Sequence, residues 1–147
     1  MKNDSVSESQ RALIDRKRAL LANGAAPTFS KIEKLEIPKH LEDAFNALNV
    51  DQQNAVRLVA ECNDYALIRG MPGTGKSSTI CFLIRFLTAK GQKVLVSAYT
   101  NSALDHLCCK LLRHRDVKDK LVSTSTHSLS LSLCDCLFVG DFKRVSA

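Results

Sequence analysis

Eight residues, Gly70-Met-Pro-Gly-Thr-Gly-Lys-Ser77, constrain this chain more than any other stretch. They fit G-x-x-x-x-G-K-[ST], the pattern of a phosphate-binding loop, or P-loop. The pattern carries weight when it lies between a strand and a helix, and its flanks are written that way. Tyr65-Ala-Leu-Ile-Arg69 ahead of it is a short apolar run of strand character. Behind it, Ser78 to Lys90 puts Ile80, Leu83, Ile84 and Leu87 on one face of a predicted helix. The competing reading is a Gly-rich turn that merely precedes a helix.

Each residue type has a reason to be there. Gly70, Gly73 and Gly75 let the backbone adopt strained angles and approach an anion closely. Successive N–H groups then converge on one concavity, and the following helix N-terminus adds partial positive charge. Lys76 brings a full charge to the outer phosphates, which makes it the expected catalytic residue for phosphoryl transfer. Ser77 supplies a hydroxyl for Mg²⁺, a hard ion that prefers oxygen. Thr74 and Ser78 complete the expected nucleotide-binding set, and Pro72 stiffens the loop.

At 147 residues the chain has the length of about one domain. A net charge of +6 makes an anionic partner plausible, nucleic acid first. Six cysteines stand at 62, 81, 108, 109, 134 and 136, with no C-x-x-C spacing. With no apolar segment behind Met1, they read as free thiols of a reducing compartment. Cys81 reads as packing; Cys108-Cys109 and Cys134-x-Cys136 are weak metal candidates. No apolar run approaches membrane-spanning length, so no membrane partner is expected.

Along the chain, residues 1–38 read as a polar N-terminal extension and linker. A short helix ends near Asn23-Gly24, and Arg11, Arg16, Lys17 and Arg18 form a basic cluster. That cluster is either an anion contact or a solvated helix face. From His40 to about Ala60 the pattern predicts helix in two pieces broken near Asn49, with Asp51 as cap of the second. Gly91 is the expected stop of the P-loop helix. Lys93 to Ser97 reads as a buried strand, completing a βαβ unit and therefore a parallel sheet. Thr100-Asn101-Ser102 offers caps for a helix from Ala103 to about His114, with Leu104, Leu107, Cys108 and Leu111 on one face. Ser128 to Leu133 alternates with period two, as a half-exposed strand or a low-complexity segment would.

Three motifs in this order resemble superfamily 1 helicases: Leu48-Asn-Val-Asp-Gln-Gln-Asn-Ala-Val56, the P-loop, and Ser97-Ala-Tyr-Thr-Asn-Ser-Ala-Leu-Asp105. The resemblance covers residues 48–112 and leans toward the DNA-replication branch over the RNA-acting relatives. It implies an α/β fold: a partial RecA-like P-loop NTPase lobe over 39–147, with a parallel sheet and a helical N-terminal extension. It implies ATP and Mg²⁺ as cofactors and an ATP-dependent helicase as the parent enzyme. Gln52 takes the role of adenine reader, which a carboxamide can fill by donating and accepting on one base edge; taken alone, it is a solvent-facing helix residue. Tyr99, Thr100, Asn101 and Ser102 take the role of gripping a single strand, DNA rather than RNA, and the resemblance implies a nuclear setting. Tyr99 either stacks on a base or is a buried strand-end aromatic.

The family pattern fades from about Asp116. Leu137-Phe-Val-Gly-Asp141 matches a carboxylate-bearing strand and a later sensor motif equally poorly, and neither is assigned. Without the arginines of a second lobe, which supply roughly 10³ to 10⁵ in rate, the chain is expected to bind ATP with little turnover.

Overall fold

A computed structural model describes residues 8–22, 24, 26–123 and 136–139. The chain divides into two units, Met1–Leu35 with Asn54–Arg69 and Glu36–Gln53 with Gly70–Ala147.

In the first unit, α1 runs over Glu8–Ala22, and Gly24 just beyond it has φ 63°, in the left-handed region that glycine tolerates. Residues 28–30 pair with 61–63 around an antiparallel bridge between Phe29 and Cys62. Ser30 N–H donates to Glu61 O at 2.7 Å, and Asn63 N–H donates to Thr28 O at 3.0 Å. Asp64 is the hub. Its carboxylate accepts from Arg16 Nε at 2.8 Å and Arg16 Nη2 at 3.0 Å. It also accepts from Thr28 N–H at 2.8 Å and Thr28 Oγ1 at 2.7 Å. Arg16, first, and then Thr28 hold the Asp64 carboxyl well below the usual carboxylate range. Arg16, one of the basic cluster, is therefore engaged in an ion pair within this unit while its side chain stays half-exposed.

In the second unit, a 3₁₀ turn at Lys39–Leu41 and α2 (Glu42–Asn46) precede α3 (Val50–Glu61), whose first turn belongs here. The break at Asn49 falls where the sequence predicts it. The cap differs: Gln52 N–H donates to Asn49 Oδ1 at 2.9 Å, and Asn49 N–H donates back to Gln52 Oε1 at 3.0 Å. This is a reciprocal capping pair, and Asp51 lies two residues past the cap position, already inside the first turn of α3.

The P-loop helix, α4 (Lys76–Ala89), is the centre of the unit. Its buried residues include Cys81, Phe82, Leu83, Ile84 and Phe86, a wider face than the predicted stripe. Ile80 is 41% exposed, so it stands outside that face. One side, Cys81 and Ile84, packs with Leu104, Leu107 and Leu111 of α5 (Asn101–Leu111) and Val117 of α6 (Arg115–Lys118). Burial pushes the Cys81 thiol up, consistent with a packing role. The other side carries an aromatic series, with Phe82 5.7 Å from Phe45 and 6.3 Å from Phe86 between ring centroids. An Arg85 Nε bond to Asp116 Oδ2 at 2.8 Å joins α4 to α6. The helix ends in a Schellman motif: Gly91 has φ 77°, its N–H donates to Thr88 O, and Gln92 N–H donates to Leu87 O.

The sheet departs from expectation. Strand β1 (Val94–Ser97) pairs antiparallel with β3 (Cys136–Val139), Leu95 opposite Phe138, and β3 pairs antiparallel with β2 (Leu121–Ser123). Residues 65–69 form no strand, so the predicted parallel βαβ unit is not formed. A strand persists only with a hydrogen-bonded neighbour, and the described sheet, in the order β1-β3-β2, has none for 65–69. Nor is β1 buried on both faces. Val94 and Val96 pack on the helical core while Leu95 is 58% exposed, as in an antiparallel sheet covered on one side. Residues 128–133 and Asp141 lie outside the described residues.

Candidate functional site

The loop Gly70–Gly75 feeds directly into α4, so the predicted helix N-terminus stands behind the predicted phosphate cradle. Gly73 and Gly75 both have φ 82°, where a side chain strains the backbone. Gly75 is also the residue that caps α4, with ψ 21°. Its carbonyl accepts the N–H groups of Ser78 at 2.9 Å and Thr79 at 3.0 Å, starting the helix. A Cβ on Gly75 would run into the Gln52 carboxamide. At Gly70 a Cβ would lie 2.8 Å from Lys76 Cγ and 2.9 Å from Thr74 Oγ1. Gly70 thus makes room for the lysine, and Gly75 for both the turn and its neighbour.

One hydroxyl and two ammonium contacts fold the loop on itself. Thr74 Oγ1 donates to Met71 O at 2.8 Å, and Thr74 N–H donates to the same carbonyl at 3.3 Å. Lys76 Nζ donates to Gly70 O and Met71 O, each at 2.7 Å. The exposed Lys76 therefore lies back over the loop, beside the exposed Ser78 and the half-buried Ser77 on the first turn of α4.

Gln52, eighteen residues ahead of Gly70 in sequence, reaches this loop. Its Nε2 donates to Thr74 O at 3.2 Å. Gln53 is instead used locally, donating to Phe45 O at 3.2 Å and Leu48 O at 3.0 Å. Of two adjacent glutamines, the first is the one whose side chain reaches the P-loop. Asn49, which holds Gln52 from behind, was not among the predicted site residues. The Asn-x-x-Gln spacing of a capping box is the signal that points to it.

Thr100 occupies the N-cap of α5 in extended conformation, φ −129° and ψ 143°, and its side chain makes no capping hydrogen bond. Asn101 and Ser102 begin the helix and are exposed. Tyr99 is fully exposed at 101% relative accessibility, which removes its alternative as a buried strand-end aromatic. The four residues form one solvent-facing run from the β1–α5 connection into the first turn of α5.

The residues present fit a nucleoside triphosphate with Mg²⁺: left-handed glycines shape the loop, an ammonium overlies it, and Ser77 stands on the first helical turn. Among the described residues, no group of three or more His, Cys, Asp or Glu side chains could hold a metal ion by itself. Cys62, Cys81, Cys108 and Cys109 are free thiols. Among the described residues no helix is long and apolar enough to cross a membrane.

The sequence is similar to several known proteins. The DNA replication ATP-dependent helicase/nuclease DNA2 of Xenopus laevis is 40% identical over 115 residues, covering 76% of this chain and 10% of that protein. Its Homo sapiens counterpart is 38% identical over 102 residues, 67% of this chain and 10% of that protein. The Saccharomyces cerevisiae protein is 38% identical over 94 residues, 64% and 6% respectively. The chain thus spans about a tenth or less of the length of these relatives. No solved structure matches. A family model described as AAA domain matches residues 47–132, a span that takes in the Gln52 motif, the P-loop and the Tyr99–Ser102 run together, and the chain belongs to that family of P-loop NTPase fold.

Proposed function

We propose that this chain is the N-terminal part of the motor of a superfamily 1 DNA helicase, binding ATP-Mg²⁺ and single-stranded DNA. The observation that carries the reading is the hydrogen bond from Gln52 to Thr74 O, which joins two motifs far apart in sequence at one loop. A Gly-rich turn that merely precedes a helix has no reason to recruit a glutamine from another helix.

Each residue then has a task. N–H groups of Gly73, Gly75, Lys76 and Ser77 and the α4 N-terminus grip the phosphates. Lys76 exchanges its two carbonyl partners for the outer phosphate oxygens and offsets their charge. Ser77 would hold Mg²⁺, which would supply charge neutralisation at the phosphates. Gln52 has capacity to spare for adenine, since each amide hydrogen-bonding group has a second site. Thr100, Asn101 and Ser102 grip backbone phosphate, and Tyr99 stacks on a base. DNA is favoured over RNA because the relatives compared are DNA replication proteins by name.

Hydrolysis by this chain alone is slow, because arginine-finger groups normally supply about 10³ to 10⁵ in rate. The test is titration with a fluorescent ATP analogue. The unaltered chain binds it and Lys76→Ala does not; equal affinity in both removes the P-loop assignment. Steady-state ATP hydrolysis at a helicase-like rate by the purified chain contradicts the low-turnover reading.

A further inference from the structure

The hydrogen bonds of Gln52 carry more than base recognition. Asn49 N–H occupies Oε1 at 3.0 Å, which assigns the carboxamide orientation and turns the NH₂ group toward Thr74 O. The flipped amide would set NH₂ against N–H and oxygen against carbonyl, losing both bonds. Asn49 Oδ1 holds Gln52 N–H at 2.9 Å, so the base of the side chain is fixed as well. Gln52 is thus a rigid donor aimed at one carbonyl of the P-loop.

That carbonyl belongs to the Thr74–Gly75 peptide. The peptide is planar and trans, so fixing the C=O toward Gln52 aims the Gly75 N–H away from Gln52. The same peptide leads into Gly75 at φ 82°, where a Cβ would collide with the Gln52 carboxamide. Glycine is free to rotate this peptide, so a free glycine hinge would lose orientational freedom on gripping an anion. Gln52 removes that freedom in advance.

We propose that Gln52 is a positioning residue for the phosphate loop: it presets the Thr74–Gly75 peptide for anion binding, whatever base the ligand carries. This rests on the nucleotide reading of the site and deepens it. Base reading remains compatible, because Oε1 retains one lone pair and Nε2 one hydrogen.

The experiment uses a ligand with no base. Binding of Mg²⁺-tripolyphosphate, ATP and GTP is measured by calorimetry on the full 147-residue chain, unaltered and as Gln52→Ala and Gln52→Met. Methionine keeps the length and helix preference of glutamine but cannot donate. Losing one preorganising hydrogen bond is expected to weaken all three ligands by about 5- to 10-fold. Both variants also lose the Oε1 acceptor of Asn49 N–H that caps α3, so the ligand-free melting temperature is expected to fall. Affinities are measured well below it, where a purely structural role of Gln52 would leave them unchanged. If Gln52→Ala fails to fold, Gln52→Met decides. Variants that lose ATP affinity but keep tripolyphosphate affinity overturn the proposal and leave Gln52 a base reader. An unaltered chain that binds none of the three ligands overturns the nucleotide reading itself, and this inference with it.

Discussion

The ammonium of Lys76 lies 2.7 Å from the carbonyl oxygen of Gly70, and the lysine stem passes through the space that a side chain at position 70 would fill. The first glycine of the motif is therefore a partner of its lysine, six residues away. Its φ is not in the left-handed region, so conformational freedom does not explain it; close approach does.

Gly70→Ala follows from this. The added Cβ lies 2.8 Å from Lys76 Cγ and 2.9 Å from Thr74 Oγ1, so both must move. Fluorescent-nucleotide affinity is expected to fall about 10-fold or more, the cost of a misplaced charge-assisted contact. The melting temperature changes little, because the loop is exposed. Unchanged affinity would mean that Lys76 takes another path.

Gly75→Ala acts differently. At φ 82° an alanine costs about 1–2 kcal/mol in backbone strain, before its collision with Gln52. Both nucleotide affinity and thermal stability are expected to drop, and Gln52→Ala in the same chain should restore part of the stability. A double variant no more stable than the single one would show that the collision is relieved some other way.

Acid should loosen the first unit. Asp64 is held below the usual carboxylate range, by Arg16 first and then by Thr28, so its folded form is the carboxylate. That contribution is complete above the ordinary carboxylate pKa of about 3.9 and is lost as pH falls below it toward the depressed folded value. Amide exchange at Thr28, whose N–H donates to Asp64, reports it. Protection at Thr28 is expected to decline more steeply below about pH 4 in the unaltered chain than in Asp64→Asn. Identical profiles would remove Asp64 as the hub.

At the start of α5, Thr100→Ala with Ser102→Ala is expected to weaken single-stranded DNA binding several-fold for every sequence tested, since phosphate contacts carry no sequence information. Helix α5 should survive, because the Thr100 side chain makes no capping bond. The slope of log K against log salt stays the same, as hydroxyls release no counterions. Fluorescence anisotropy at several salt concentrations measures both; unaltered affinity would withdraw the strand-contact assignment.

Phe86 is 1% exposed on the aromatic side of α4, stacked on Phe82 and covered by Lys90 Nζ at 4.7 Å from its ring centroid. Phe86→Ala should cost about 3–5 kcal/mol in urea unfolding, the range for emptying an aromatic core site. A loss below about 1 kcal/mol would mean that the core closes around the cavity.

What the sequence alone determined is what local rules govern. The P-loop helix, its Schellman stop at Gly91, the break at Asn49 and the α5 stripe of Leu104, Leu107 and Leu111 all followed from spacing and residue type. These features are closed by bonds and contacts within a few residues, so the necessary information is adjacent in the chain. The motif order brought Gln52 into consideration, but only the fold put its amide on Thr74 O. Strand partnership was decided by tertiary structure alone. Lys93 to Ser97 and Tyr65 to Arg69 read alike as apolar runs, yet only the former is a strand, and it pairs antiparallel with Cys136–Val139. A short apolar run records that it can be buried, whereas direction and neighbour depend on backbone groups far away in the chain. The asymmetry between Ile80, exposed, and Phe82 and Phe86, buried, has the same origin: a helix packed on two sides hides residues that a single stripe leaves out.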